Sequence, residues 1–115
     1  MSLQPIHIPS DIKELPHPAS ASHLIDLSNE RIEAFMLSDD RVIENFVPCD
    51  FHLLDQALSW IEQNHLLTGR RFCEFGSGFG VAAMLAAARG IESVGIEIES
   101  SLVDQANRLS EELGL

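Results

Sequence analysis

Apolar positions along the chain fall at helical spacing in three windows and at strand-like spacing in two. Between Ser22 and Leu37, the residues Leu24, Ile25, Leu27, Ile32, Phe35 and Met36 fit one or two helical segments. The SDD at 38–40 interrupts that pattern and is suited to capping the next element. Further on, Leu54, Ala57, Leu58 and Ile61 recur at helical spacing, with Leu53 and Trp60 widening the apolar stripe. Asp50 is a good N-cap for this helix, which is expected to end near His65, with Thr68-Gly69 as the turn. A third window holds Leu102, Val103, Ala106, Leu109 and Leu113, with Ser100 and Ser101 as candidate caps and Gly114 as its stop.

The two strand-like stretches are Arg71 to Phe75, a short apolar run, and ESVGIEIE, in which Val94, Ile96 and Ile98 alternate. Between them the alanine-rich run Val81 to Ala88 predicts a compact helix halted by Gly90. Residues 71 to 115 therefore read strand, helix, strand, helix. That order predicts parallel strands joined by a right-handed crossover, hence an α/β fold. Residues 1 to about 21 contain Pro5, Pro9, Pro16 and Pro18 without periodicity, and predict an extended arm with at most one short helical turn. The chain divides into an arm and helical segment over 1–43 and a strand-and-helix unit over 44–115.

At 115 residues, with 45% hydrophobic residues, the chain can hold one modest core. Seven Lys plus Arg against eighteen Asp plus Glu give a formal charge of -11, so a phosphate backbone is on balance repelled and nucleic acid is a poor partner. No apolar run approaches the roughly 20 residues of a membrane-spanning helix, and the N-terminus lacks a basic segment with an apolar stretch after it. These features lead us to expect a cytoplasmic protein with no membrane partner. Two cysteines, Cys49 and Cys73, are too few for a disulfide framework, and the strand position of Cys73 predicts a buried thiol. The five histidines show no HxxxH pair or neighbouring CxxC, so no metal site is expected and scattered surface or packing roles are the default.

The chemistry concentrates in RFCEFGSGFG, Arg71 to Gly80. In open α/β sheets, ligands sit beyond the carboxyl ends of strands, and glycines there allow close approach and positive φ. Gly76 and Gly78 suit that approach, with Ser77 between them, and Gly80 is expected to let the helix start pack tightly on the strand. A phosphate loop of the GxxxxGK[ST] type needs a lysine, and none comes after these glycines. The dinucleotide fingerprint GxGxxG has its third glycine one position later, where Val81 stands. Glu74 also has the wrong sign for a pyrophosphate. A cationic ligand without phosphate turns that carboxylate into an asset. Glu97 closes the second strand one crossover later, where a carboxylate can accept from both hydroxyls of a ribose; Glu99 is the weaker candidate.

The segment EFGSGFG, Glu74 to Gly80, resembles the E/DxGxGxG motif of the class I S-adenosylmethionine-dependent methyltransferases. VGIEIESSLVDQA is similar to that family's second strand and the helix after it. ENFVPCDFHLLDQAL, Glu44 to Leu58, resembles the FVPT-like segment preceding the first core helix in some members, including some that modify protein lysines. There Phe46 and Pro48 match, while Cys49 replaces the common hydroxyl residue.

The resemblance implies a partial Rossmann-like parallel sheet preceded by N-terminal helices. It implies S-adenosylmethionine as cofactor, held by Glu74 at its ammonium, by backbone at Gly76, Ser77, Gly78 and Gly80, and by Glu97 at its ribose. It also implies methyl transfer to a protein or small-molecule acceptor; no general base is assigned. The resemblance covers the family's first half, so we expect a truncated domain, or a homodimer that completes the sheet. A fragment of an NAD(P)-binding oxidoreductase, and a non-catalytic nucleotide-binding or oligomerising module on a degenerate methyltransferase scaffold, stand as alternatives.

Overall fold

A computed structural model describes residues 2–38, 43 and 46–115. Asp39 and Asp40 of the expected SDD cap, and Glu44 at the expected domain boundary, lie outside the described residues. The proline-rich arm holds a single 3₁₀ turn, Ser10–Glu14, which buries Ile12. Helix α1, Ala19–Ser38, comes directly after Pro18 as one continuous helix and starts three residues before the expected window. Its buried residues, Ala21, Leu24, Ile25, Ser28 and Ile32, recur every three or four positions and form one inward stripe.

Helix α2, Phe51–Gln63, begins as its sequence predicts: the Asp50 side chain accepts from the Leu53 amide at 3.0 Å. Strand β1, Arg71–Phe75, runs through the glycine loop into helix α3, Val81–Ala87. A seven-residue helix is too short to be stable alone. Here Val81 to Ala86 are all buried, so tertiary packing on every side holds it. Strand β2, Glu92–Ile96, leads to helix α4, Ser100–Leu113, which Gly114 ends in the left-handed conformation at φ 70°. Contrary to expectation, neither serine caps α4: its N-cap is Glu99, with no side-chain cap bond.

β1 and β2 pair in parallel, with Arg71 opposite Glu92 and Phe75 opposite Ile96, forming a two-stranded sheet. Among the described residues the fold is thus mixed helix and strand, with four α-helices and one parallel pair. None of those helices is long and apolar enough to cross a membrane. One core crosses the expected boundary at residue 43, joining Leu24 and Ile25 of α1, Leu58 of α2, Phe79 of the loop, Leu85 of α3, and Leu102 and Leu109 of α4. The Arg31–Glu112 ion pair, 2.8 Å, ties α1 to α4 at the surface.

Side chains alternate across the strands. Gly95 points toward Ala83 of α3, so Glu74, opposite it in register, shares the covered face. Cys73, Phe75, Val94 and Ile96 share the other face and are exposed. The burial expected for Cys73 therefore fails, because among the described residues one face of the pair carries helices and the other carries none. Both cysteines are free and exposed.

A buried polar cluster fastens the arm. Asp55 of α2 is fully buried; it accepts from Arg89, just beyond α3, and pairs with His17 Nδ1 at 2.7 Å. Arg89 also donates to the Asp55 carbonyl and to Ser59 Oγ. Next to Asp55, Gln56 Nε2 donates to the carbonyls of Lys13 and Leu15 at 2.8 and 3.1 Å. His17 is thus a partner of a buried carboxylate, and the default surface role does not hold for it. Removing one partner of a buried pair leaves an uncompensated charge. Glu62 Oε1 already stands 3.5 Å from Arg89 Nη1 as a second carboxylate, so Asp55→Ala is expected to lower stability by about 1–3 kcal/mol in urea denaturation through the hydrogen bonds left unmade, and a loss below about 0.5 kcal/mol would show that Glu62 takes over fully.

Candidate functional site

The glycine loop is held by the end of β2. The carbonyl of Ile96 accepts from both Gly76 and Ser77 amides, at 2.8 and 3.0 Å. The Gly78 amide donates to Glu97 Oε2 at 2.8 Å, and the Gly80 amide to the Ser77 carbonyl at 2.7 Å. Four of the five amides from Gly76 to Gly80 thus already have acceptors inside the chain. The loop needs its glycines for their backbone conformation: φ is 71° at Gly76, 54° at Gly78 and 73° at Gly80.

Each glycine faces something different. A side chain on Gly76 would meet nothing within 4 Å, so that face of the loop is open. On Gly78 it would come within 3.1 Å of the Phe46 ring, which stacks on Phe79 with centroids 5.9 Å apart. On Gly80 it would meet Ala106 Cβ of α4 at 3.4 Å and Met84 Cε at 3.6 Å. Gly80 therefore serves the approach of α4, rather than the helix-on-strand packing expected of it.

The two acids differ in environment. Glu74 is half-buried, and its Oε2 is inaccessible and without a hydrogen-bond partner among the described residues. Burial raises its pKa; the Ala83 amide in the first turn of α3 opposes this, and the nearby Glu97 charge adds to the rise. Partial shielding likewise raises the thiol of the otherwise exposed Cys49, and the charges of Glu74 and Asp50 add to the rise. Glu97 moves the other way. Backbone amides lower its pKa, that of Glu99 first, against a smaller rise from burial. Its Oε1 accepts from Ile98 at 2.8 Å and Glu99 at 3.1 Å.

A cavity of about 340 Å³ opens beside the loop, between α3, β2 and α4, with Ser77, Gly78, Gly95, Glu97, Ala106 and Asn107 on its walls. Glu74 and Gly76 are not among those walls. The Glu97 side of the loop thus has a shaped hollow, and the Glu74 side a buried oxygen without a hydrogen-bond partner among the described residues. Among the described residues no group of three or more His, Cys, Asp and Glu side chains is arranged to hold a metal ion. The chain matches no family model, no curated protein and no solved structure.

All six residues singled out in the sequence, Glu74, Gly76, Ser77, Gly78, Gly80 and Glu97, lie in this one region. Gly78 and Glu97 are bonded directly, whereas Gly80 turns toward α4. Gly95 escaped notice. A side chain there would lie 2.7 Å from both Cβ and Oγ of Ser77, so the strand must be bare for the loop to fold onto it. A glycine inside a strand is the available signal for such an approach. Gly95→Ala is expected to displace the loop and cost about 1–3 kcal/mol, the usual penalty of overpacking, in thermal denaturation. An unchanged melting temperature would mean that Ser77 moves aside freely.

Proposed function

We propose that residues 44–115 form the cofactor-binding half of a Rossmann-like, S-adenosylmethionine-dependent methyltransferase. The observation that carries this reading is the sign and state of the loop's polar groups. A loop that binds phosphate offers free amides and positive charge. Here four loop amides are already bonded internally, and two carboxylates flank the glycines. A pyrophosphate would meet repulsion where it needs donors, so the arrangement favours a cationic cofactor over NAD(P).

The residues fit such a group. Glu74 is half-buried with an unpartnered Oε2, so a turn of its side chain toward the open side of the loop would give an ammonium a carboxylate to pair with, and a bound cation would offset the desolvation that raises its pKa. Gly76 leaves backbone open for close contact. Glu97 has about four acceptor positions on its carboxylate, three of them engaged by amides, leaving one for a ribose hydroxyl in this arrangement. Phe46 lies over Gly78 at the edge of the loop, where it can exclude water from the ligand. When bound, held by Glu74, the Gly76–Gly80 backbone and Glu97, S-adenosylmethionine would supply an electrophilic methyl carbon on a cationic sulfur. The chain's part is to hold the cofactor in line and dry.

The binding test is calorimetric titration with S-adenosylhomocysteine and NAD in parallel. Binding of the first alone is expected; binding of NAD alone would overturn the reading. Glu74→Gln separates function from stability. A carboxylate whose pKa is raised by folding favours the folded state fully only below its unfolded pKa, and this contribution is lost as pH rises through the folded value. At neutral pH the glutamine variant is therefore expected to be more stable than wild type by up to about 1 kcal/mol, after allowance for solvent screening of a half-exposed group. The gain should vanish below the ordinary glutamate range, and affinity for S-adenosylhomocysteine should fall at least tenfold through loss of a charged hydrogen bond. Unchanged affinity would remove Glu74 from the site.

A further inference from the structure

We infer that Glu97 acts as the loop's own built-in anion, filling an amide nest that would otherwise accept a phosphate or carboxylate, and so sets the specificity of the site. The nest is formed by three amides that converge on one side chain: Gly78 from the glycine loop, and Ile98 and Glu99 from the turn leading into α4. Each donor lies 2.8 to 3.1 Å from a carboxylate oxygen, the arrangement by which backbone nests and helix N-termini hold external anions. The same carboxylate therefore satisfies the buried Gly78 amide, holds the turn that precedes α4 and places a negative charge on the wall of the cavity.

That geometry has two consequences. Glu97 bridges two separate loops, so it positions Gly78 in the ligand-free protein instead of waiting for a ligand to do so. It also occupies the place a phosphate would take, which makes it a selectivity element against phosphate-bearing ligands. These amides lower its pKa, which favours the ionised carboxylate that the bridge requires. None of this depends on the cofactor being S-adenosylmethionine, since it concerns the protein without ligand.

The test is chemical rescue. Glu97→Ala leaves the amides of Gly78, Ile98 and Glu99 without their acceptor and is expected to melt below wild type. Sodium formate should restore part of the loss in Glu97→Ala and do nothing for wild type, with sodium chloride at equal ionic strength as the control. Inorganic pyrophosphate, titrated by calorimetry, should bind Glu97→Ala and not wild type. A variant that gains no more from formate than from chloride, or a wild-type protein that binds pyrophosphate at the loop, would overturn the inference. Should Glu97→Ala fail to fold, wild type alone decides the matter by amide NMR. The Gly78, Ile98 and Glu99 resonances should then titrate together, with one midpoint below the ordinary glutamate value; independent or absent titration contradicts the proposal.

Discussion

The carbonyl of Ile96 accepts two amides from the glycine loop, and most of the site depends on that junction. It ties the turn after β1 to the last residue of β2, so the parallel pairing and the loop conformation are set together. Gly95, one residue earlier, must lack a side chain for Ser77 to come this close. With the loop fixed on β2, α3 starts beneath it and its buried alanine-rich surface meets the sheet, α1 and α2. Glu97, one residue beyond Ile96, is then carried to the Gly78 amide. The sequence run Gly95-Ile96-Glu97 thus supplies close approach, anchorage and charge in three consecutive positions.

Local signals were legible where local chemistry decides structure. Asp50 caps α2 because its side chain needs only the amide three residues on, and β1 occupies the bounds its apolar run predicts. Gly114 and Gly90 stop their helices in positive φ. Features that could not be read locally depend on distant partners. Asp55 looks like a solvated residue on an amphipathic helix, yet it is buried because His17 and Arg89, 38 and 34 positions away, both converge on it. Cys73 looks like a core residue because strands of parallel sheets are usually covered on both faces, whereas here one face is bare among the described residues.

The candidate site was legible in its membership more than in its wiring. Charge sign and spacing singled out Glu74 and Glu97 as a pair flanking the glycines, and the fold brings them close enough for one to raise the pKa of the other. Sequence spacing could not reveal that they sit in opposite states. Glu74 keeps a buried oxygen without a partner, while Glu97 is held by three amides. In the proposed function that difference divides the work: the acid with an unpartnered oxygen would gain from a cationic ligand, and the other shapes the loop.

The central claim is that the glycine loop and its two acids receive a nucleoside ligand that carries an ammonium and no phosphate. Mapping amide chemical shifts during addition of S-adenosylhomocysteine tests it most directly. The account predicts that the largest changes fall on Glu74 to Gly80 and Ile96 to Glu99 together, with α2 beyond its first turn little affected. Changes confined to other parts of the chain, or an equal response at the loop to NAD, would contradict it.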